Sequence, residues 1–209
     1  MKTMLSREEK KNLTRQSLID AALGLVREGN NFASISLREV AKKSGLVPTS
    51  FYRHFSDMEE LGLNVVDDLG MVLRKMMRTT RQVDGYSTGQ LYSAIEVYVD
   101  FVCQHSGHFY FMSQCRTGGT TVLRQAIRNE LKYFEHELSC DTRSTSLLSA
   151  MSGSDREVMS QLIVSTVFEA TIDILDLDHA NINQKHEFMH LMKAKLRMIW
   201  LGASIWRSN

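Results

Sequence analysis

Hydrophobic positions recur every three to four residues along most of the chain, with polar positions between them, and this is the period of an amphipathic α-helix. Five of these stretches are preceded by Ser-x-x-Glu or Ser-x-x-Gln, which begin at Ser6, Ser36, Ser56, Ser87 and Ser154. In such a capping box the two side chains satisfy backbone N–H groups at the start of a helix. The pattern therefore predicts an all-α chain whose helices begin near these serines.

The predicted helices form a head of short elements and a longer body. The head has a first helix that ends near Gly29, a short helix over 36–44 and another over 48–55, with Pro48 in the first turn, where its missing N–H is best tolerated. Further helices are predicted over about 56–81, 87–105, 109–115, 122–138, 154–175 and 184–206. The Ser/Thr-rich segment 139–153 is predicted to be a surface connection.

Composition supports a globular helical protein and also predicts its cellular compartment. The 209 residues are 43% hydrophobic and 23% charged, with a single proline, which disfavours disorder and turn-rich β folds. Three cysteines in no regular spacing, a polar N-terminal segment and the lack of an apolar run of about 20 residues predict a cytoplasmic protein that does not enter a membrane. The net charge is only +1, but residues 1–55 hold ten basic and five acidic residues. A basic head of this kind is typical of polyanion binding.

The two short helices of the head form a predicted helix-turn-helix, joined by a turn that contains Gly45. Val40, Ala41, Leu46 and Phe51 are expected to hold the pair together. The polar side chains left outside are suited to phosphates and base edges, and they are Arg38, Lys42, Lys43, Thr49, Ser50, Tyr52, Arg53 and His54. A basic helical hairpin on the surface, with no DNA partner, is the alternative interpretation.

Residues 36–55, followed by Ser-Asp-Met-Glu-Glu-Leu, resemble the DNA-binding domain of TetR-type transcriptional regulators. Within that family, residues 48–63 and, more loosely, 109–119 and 128–131 are similar to the FabR-type repressors of unsaturated fatty acid synthesis genes. The resemblance implies an all-helical homodimer, with a three-helix DNA-binding domain over residues 1–55 and a helical ligand-binding and dimerisation domain over 56–209. Its partner would be a double-stranded DNA operator.

The same resemblance assigns roles to single positions. It maps Arg38, Thr49, Ser50, Tyr52, Arg53 and His54 onto positions that touch bases or phosphates, with Tyr52 most often on a phosphate. Many relatives have a phosphate-binding lysine at the position of Met58, and this sequence departs from the family there.

The body contains side chains suited to an apolar effector. Flexible thioethers and aromatic rings can line a channel for an acyl chain, and the candidates are Met71, Met76, Phe101, Phe109, Met112 and Phe168. Arg116, Arg124 and Arg128 are candidates for a basic mouth that receives phosphates. Ordinary core packing and a solvated basic face are the alternatives. The family resemblance implies a long-chain acyl-CoA or acyl carrier protein thioester as effector, and no cofactor.

The last two predicted helices carry more apolar residues than one short helical domain buries. The candidates for a dimer interface are Leu162, Ile163, Val167, Ala170, Leu191, Met192, Ile199, Trp200 and Ala203. The alternative is that they form the core of a single chain.

Two patterns bear on enzymatic activity. His186-Glu187-x-x-His190 fits a zinc signature, but no Asp, Glu or His follows it to supply a third ligand. Cys103, His105, His108 and Cys115 match no familiar zinc spacing, and the chain has neither a Gly-rich phosphate loop nor a G-x-S-x-G elbow. We therefore expect no metal and no catalysis, with a zinc hydrolase as a distant alternative and a helical adaptor protein as another.

Overall fold

The computed structural model describes residues 6–80, 88–178 and 180–208, without the side chains of residues 77–80, 88–91 and 144. Within these residues every regular element is an α-helix or a short 3₁₀ turn, which confirms the all-α prediction. The helices are α1 (Arg7–Arg27), α2 (Leu37–Lys43), α3 (Pro48–Phe51), α4 (Met58–Thr80), α5 (Thr88–Gln104), α6 (Ser106–Gly118), α7 (Thr121–Asp141), α8 (Gly153–Glu169), α9 (Thr171–Asp176) and α10 (Ile182–Ile205).

Two of the predicted capping boxes are confirmed. At the start of α1 the Ser6 N–H donates to Glu9 Oε2 at 2.6 Å, and the Glu9 N–H donates to Ser6 Oγ at 3.1 Å. Ser36 and Glu39 form the same reciprocal pair at the start of α2, at 2.8 and 3.3 Å. Each pair supplies side-chain acceptors to two backbone N–H groups at the start of a helix, where the carbonyl four residues earlier is not available.

Two other predicted helix starts are wrong by one or two residues. α4 begins at Met58 because Asp57, rather than Ser56, accepts the Glu60 N–H at 2.8 Å. α8 begins at Gly153 because Ser152, rather than Ser154, accepts a backbone N–H from the first turn. In both places two good capping residues stand close together, and the sequence alone does not decide between them. The pair that begins at Ser87 lies outside the described residues.

The middle of the chain is more helical and more buried than predicted. The short helix over 109–115 is the longer α6, whose Gly107 lies so close to α1 that an added Cβ would be 3.1 Å from Leu23 Cβ. The segment 139–153 is not a plain surface connection, since it makes two 3₁₀ turns that bury Thr142 and Leu148. The helix predicted over 154–175 is divided at Ala170 into α8 and α9.

The chain packs as two compact units, and the first contains the predicted head. It comprises Met1–Gly70 together with Gly107–Ile127, so that α6 and the start of α7 belong to it. The Phe111 ring of α6 lies edge-on to Phe32 at 4.6 Å between centroids. Gln114 of α6 accepts the Phe32 N–H at 2.9 Å and donates to the Asn30 carbonyl at 3.2 Å. This unit is defined by packing, and the functional division between residues 55 and 56 stays a prediction.

The second unit comprises Met71–Ser106 and Arg128–Asn209. α10 packs against α5 and α8, and α5 packs against α9. Lys193 on α10 bonds Glu96 on α5 at 2.8 Å, and the Tyr98 hydroxyl lies 2.8 Å from Thr171 Oγ1. Five residues predicted to lie in a dimer interface are buried within the chain itself, which is the alternative that the sequence left open; they are Ile163, Ala170, Met192, Trp200 and Ala203.

One stretch of the second unit is strongly apolar. Gly153–Asp176 is long and apolar enough to cross a membrane by length and composition, with a mean hydropathy of 1.5 over its best window. A helix of a water-soluble core or subunit interface meets the same criteria, so a single stretch of this kind is weak evidence for a membrane span.

Candidate nucleic-acid interface

A tight turn sets the geometry of the predicted helix-turn-helix. After α2 the Gly45 N–H donates to the Lys42 carbonyl at 3.1 Å and the Leu46 N–H donates to the Ala41 carbonyl at 2.9 Å. Gly45 has φ +72°, a conformation that residues with a side chain rarely adopt. The chain can therefore reverse within four residues and start α3 at Pro48. Val40, Ala41 and Phe51 are completely buried between the helices, as predicted, and Leu46 is half-buried.

We call residues 48–55 the reading element. Its regular helix ends at Phe51 rather than at Phe55 as predicted. Beyond Phe51 the chain continues in tight turns, in which the Arg53 N–H donates to the Ser50 carbonyl at 3.3 Å and the His54 N–H to the Phe51 carbonyl at 2.9 Å. Phe51 and Phe55 are both buried, with ring centroids 5.6 Å apart. These two rings fix the middle and the last residue of the element to the core.

The outer face of the reading element carries hydrogen-bonding groups. Tyr52 is 59% exposed although it follows a completely buried residue. Thr49 and Arg53 are exposed and Ser50 is half-buried. No acidic residue occurs between Glu39 and Asp57 in the sequence. The face therefore offers three hydroxyl groups and one guanidinium to a polyanion, and these groups suit phosphate oxygens and base edges.

The three predicted contacts on α2 differ in their surroundings. Arg38 and Lys42 are exposed. Lys43 makes an ion pair with Glu28, the residue that follows α1. Because its charge is partly satisfied within the protein, Lys43 has less to offer to a phosphate than Arg38 or Lys42.

His54 has an unusual environment for a proposed DNA contact. It is half-buried, and among the described residues its Nδ1 is buried without a hydrogen-bond partner. Burial lowers the pKa of His54, and the positive charges of Lys11, Arg15 and Arg53 lower this pKa further. The imidazole is therefore neutral at neutral pH, and it adds no charge to the interface.

The surroundings of His54 also identify two basic residues that sequence reasoning missed. Lys11 and Arg15 lie on α1, four positions apart, and both act electrostatically on His54. The i, i+4 spacing of two cations on a predicted helix was the available signal, but nothing in the sequence placed α1 beside the reading element.

The residues predicted to bind an effector are divided between the two units. In the first unit Phe109 and Met112 are buried and Arg116 is half-buried, while Arg124 donates to the Gly119 carbonyl and to Thr121 Oγ1. In the second unit Phe101 is buried, Met76 and Phe168 are half-buried and Arg128 is exposed. Met71 is 57% exposed, which does not suit the wall of an enclosed channel. No single unit contains the whole predicted set.

The zinc-like pattern lies on the surface of α10. His186, Glu187 and His190 are all exposed. Across residues 6–80, 88–178 and 180–208, no three His, Cys, Asp or Glu side chains are grouped so that they can hold a metal ion. Within the same described residues, no metal-holding group is formed by the other candidate set, Cys103, His105, His108 and Cys115. Burial raises the pKa of the Cys115 thiol to about 12.

Two protein-family models match the chain. The model of bacterial regulatory proteins of the tetR family matches residues 18–65, which include α2, α3 and the reading element. The model of the tetracyclin repressor-like C-terminal domain matches residues 87–202.

Solved structures show the same fold at low sequence identity. A transcriptional regulator from Rhodococcus sp. Rha1 is 20% identical, with a TM-score of 0.66, over 92% of this chain and 98% of that one. The regulator FadR from Bacillus subtilis, in complex with stearoyl-CoA, is 19% identical, with a TM-score of 0.68, over 90% and 98%. A TetR family regulator from Chloroflexus aurantiacus J-10-fl is 17% identical, with a TM-score of 0.52, over 93% and 91%.

Proposed function

Because the chain belongs to the TetR family of transcriptional regulators, we propose that it is a cytoplasmic, operator-binding repressor that controls unsaturated fatty acid synthesis genes in response to long-chain acyl thioesters. The observation that carries its DNA-binding part is the outer face of the reading element. This face exposes Thr49, Tyr52 and Arg53, and it contains no acidic residue. Members of this family are regulators rather than enzymes, so the zinc hydrolase is set aside.

The reading element binds DNA by lying in the major groove. The Tyr52 and Thr49 hydroxyls donate to phosphate oxygens, and the Arg53 guanidinium binds either a phosphate or a guanine edge. A second copy of the chain places a second reading element about one helical turn away, roughly 34 Å along the duplex. Each phosphate that the protein neutralises releases counterions, so affinity falls steeply as the salt concentration rises.

A double variant tests the reading element. Tyr52→Phe with Arg53→Ala is expected to abolish binding to a duplex that the wild-type protein has selected from a random-sequence pool. The control is Arg143→Ala, which removes an exposed arginine of the second unit. Retention of wild-type affinity in the double variant would remove the reading element from the interface.

The proposal of a homodimer rests on an exposed apolar stripe. Leu191, Met198, Leu201 and Ile205 follow one face of α10 at spacings of seven, three and four, and each is at least half exposed. Leu162 on α8, which packs against α10, is 53% exposed. A two-fold packing of α8 and α10 against the same helices of a second copy would cover this surface.

The proposal of an acyl effector has two supports. The Bacillus subtilis regulator with the same fold was solved with stearoyl-CoA. In the second unit of this chain Phe101, Met76 and Phe168 supply the apolar, adaptable side chains that an acyl chain needs, and Arg128 is an exposed cation for phosphates. The alternative within the family is release by another apolar molecule or drug.

Native mass spectrometry of the purified protein tests the effector, since a co-purified acyl thioester would be seen directly. Stearoyl-CoA and oleoyl-CoA are then expected to change operator affinity to different extents, because a cis double bond bends the chain. Equal effects of the two thioesters, or no effect of either, would favour the alternative, in which another apolar molecule or drug is the effector.

A further inference from the structure

Arg15 lies where three elements of the first unit meet. Its guanidinium lies over the Phe55 ring, with Cζ 5.1 Å from the ring centroid. The same guanidinium donates a hydrogen bond to Asn64 Oδ1 on α4. A single side chain of α1 thus contacts the last residue of the reading element and the second turn of α4.

The Asn64 side chain that Arg15 contacts is itself fixed by a hydrogen bond within α4. Asn64 Nδ2 donates to the Glu60 carbonyl at 2.7 Å, which fixes the amide that Arg15 binds. Glu60, Asn64 and Asp68 lie four residues apart on one face of α4. Hydrogen bonds from Ser56 are the main cause that lowers the pKa of Glu60, and the charge of Arg15 lowers it further; at Asp68 the same charge opposes the rise in pKa that burial causes. The positive charge of Arg15 is therefore compensated within the protein.

Phe55 depends on this neighbour because it closes the reading element. It is completely buried, and only turns connect it to the exposed Tyr52 and Arg53. A cation over an aromatic face and a charge-assisted hydrogen bond together restrict how far this end can move relative to α1 and α4.

We propose that Arg15 is a positioning residue for DNA binding, which holds the reading element against α1 and α4 through Phe55 and Asn64 and sets DNA affinity without contacting DNA. This rests on the proposed DNA-binding function. Without the Arg15 side chain, a smaller fraction of the free protein has the arrangement that binds DNA. The apparent dissociation constant rises by the same factor by which this fraction falls. The groups that bind DNA are unchanged, so the salt dependence is unchanged.

The test compares Arg15→Gln with Arg53→Gln on a duplex selected by the wild-type protein, at several salt concentrations. Arg15→Gln is expected to weaken binding by at least about tenfold, with the wild-type slope of log affinity against log salt. Arg53→Gln is expected to reduce that slope by about one for each phosphate that the protein no longer neutralises. A reduced slope in Arg15→Gln would mean that Arg15 binds a phosphate, and unchanged affinity would deny it any role; either result overturns the proposal.

Arg15→Lys provides a second, independent readout. Lysine keeps the charge, but it has no planar fork that can stack on Phe55 and reach Asn64 together. We therefore expect an affinity close to that of Arg15→Gln, whereas full recovery of affinity by lysine would show that charge alone matters and would overturn the proposal.

Asn64→Ala covers the case in which the Arg15 variants do not fold, since it removes the hydrogen bond to Arg15, together with the one from Asn64 to the Glu60 carbonyl, and leaves the contact between Arg15 and Phe55 in place. It is expected to lower affinity several-fold at an unchanged salt slope, and no loss of affinity would count against the proposal. If the wild-type protein binds no duplex, the DNA-binding function itself is refuted. If the wild type and Arg15→Gln bind equally well, only the role of Arg15 is refuted.

Discussion

Gln114 is expected to hold the segment that leads into the helix-turn-helix, and its removal tests how α6 is joined to the first unit. Its side-chain oxygen accepts the Phe32 N–H at 2.9 Å, and its side-chain nitrogen donates to the Asn30 carbonyl at 3.2 Å. Phe32 is buried, with 5% of its surface exposed. Gln114→Ala therefore deletes two hydrogen bonds and leaves an N–H at a mostly buried residue without its partner.

The magnitude follows from these two bonds. Each contributes about 1 kcal/mol net, so we expect Gln114→Ala to lower the stability of this contact by about 2 kcal/mol. Gln114→Glu keeps the acceptor for the Phe32 N–H but loses the donor to Asn30, and it is expected to cost about half as much.

Hydrogen exchange at the Phe32 amide measures the effect where it occurs. A loss of about 2 kcal/mol corresponds to exchange that is roughly 30 times faster, with Gln114→Glu between the wild type and the alanine variant. Gln104→Ala, at an exposed glutamine of α5, is the control and should leave Phe32 unchanged. Wild-type exchange of Phe32 in Gln114→Ala would show that the two hydrogen bonds do not hold this segment.

Three further changes test separate features. Met198→Glu with Leu201→Glu should raise the dimer dissociation constant by about four orders of magnitude, because both side chains occur twice in a two-fold interface; an unchanged sedimentation coefficient would exclude α10 from it. Glu60 has a pKa lowered by hydrogen bonds from Ser56, so its stabilisation is present above the ordinary value of 4.5 and lost as pH falls through the lowered pKa. Glu60→Gln should reduce the fall in melting temperature that occurs at acid pH. A fall as steep as that of the wild-type protein would contradict this. Gly119→Ala should lower the melting temperature, because its Cβ would lie 2.6 Å from the Cys115 carbonyl oxygen; an unchanged temperature would contradict that packing.

The features that sequence predicts best are local ones. The Ser6 and Ser36 boxes are confirmed because both partners lie within one helical turn. Gly29 and Gly45 end α1 and α2 with φ of +93° and +72°, as their positions after polar helix ends indicate. Such signals need no knowledge of the rest of the chain.

Sequence fails where two local solutions compete. Ser56 and Asp57 are both good caps, and the choice of Asp57 lets the Glu60 carboxylate accept the Ser56 N–H at 2.6 Å. The reading element likewise has a helical sequence to Phe55, but its regular helix stops at Phe51. The preferences of single residues do not define a helix end accurately enough to predict these displacements.

Contacts between distant residues have no signal in one sequence. Arg15 and Asn64 are 49 positions apart, and Phe32 and Gln114 are 82 apart. The apolar pattern of α10 is similarly ambiguous, since it predicts a covered face on each side of the helix. The structure places Met192 and Trp200 in the core and leaves Met198 and Ile205 exposed.

The central claim is that two reading elements enter one duplex, and directed DNA cleavage tests it most directly. An iron–EDTA reagent is attached at Thr49→Cys in a chain whose native cysteines, Cys103, Cys115 and Cys140, have been replaced. Cuts are expected in two clusters about one helical turn apart, roughly 34 Å, and none are expected when the reagent is attached at Gln104→Cys. A single cluster, or no cuts from position 49 under conditions where the protein binds the duplex, would contradict the account.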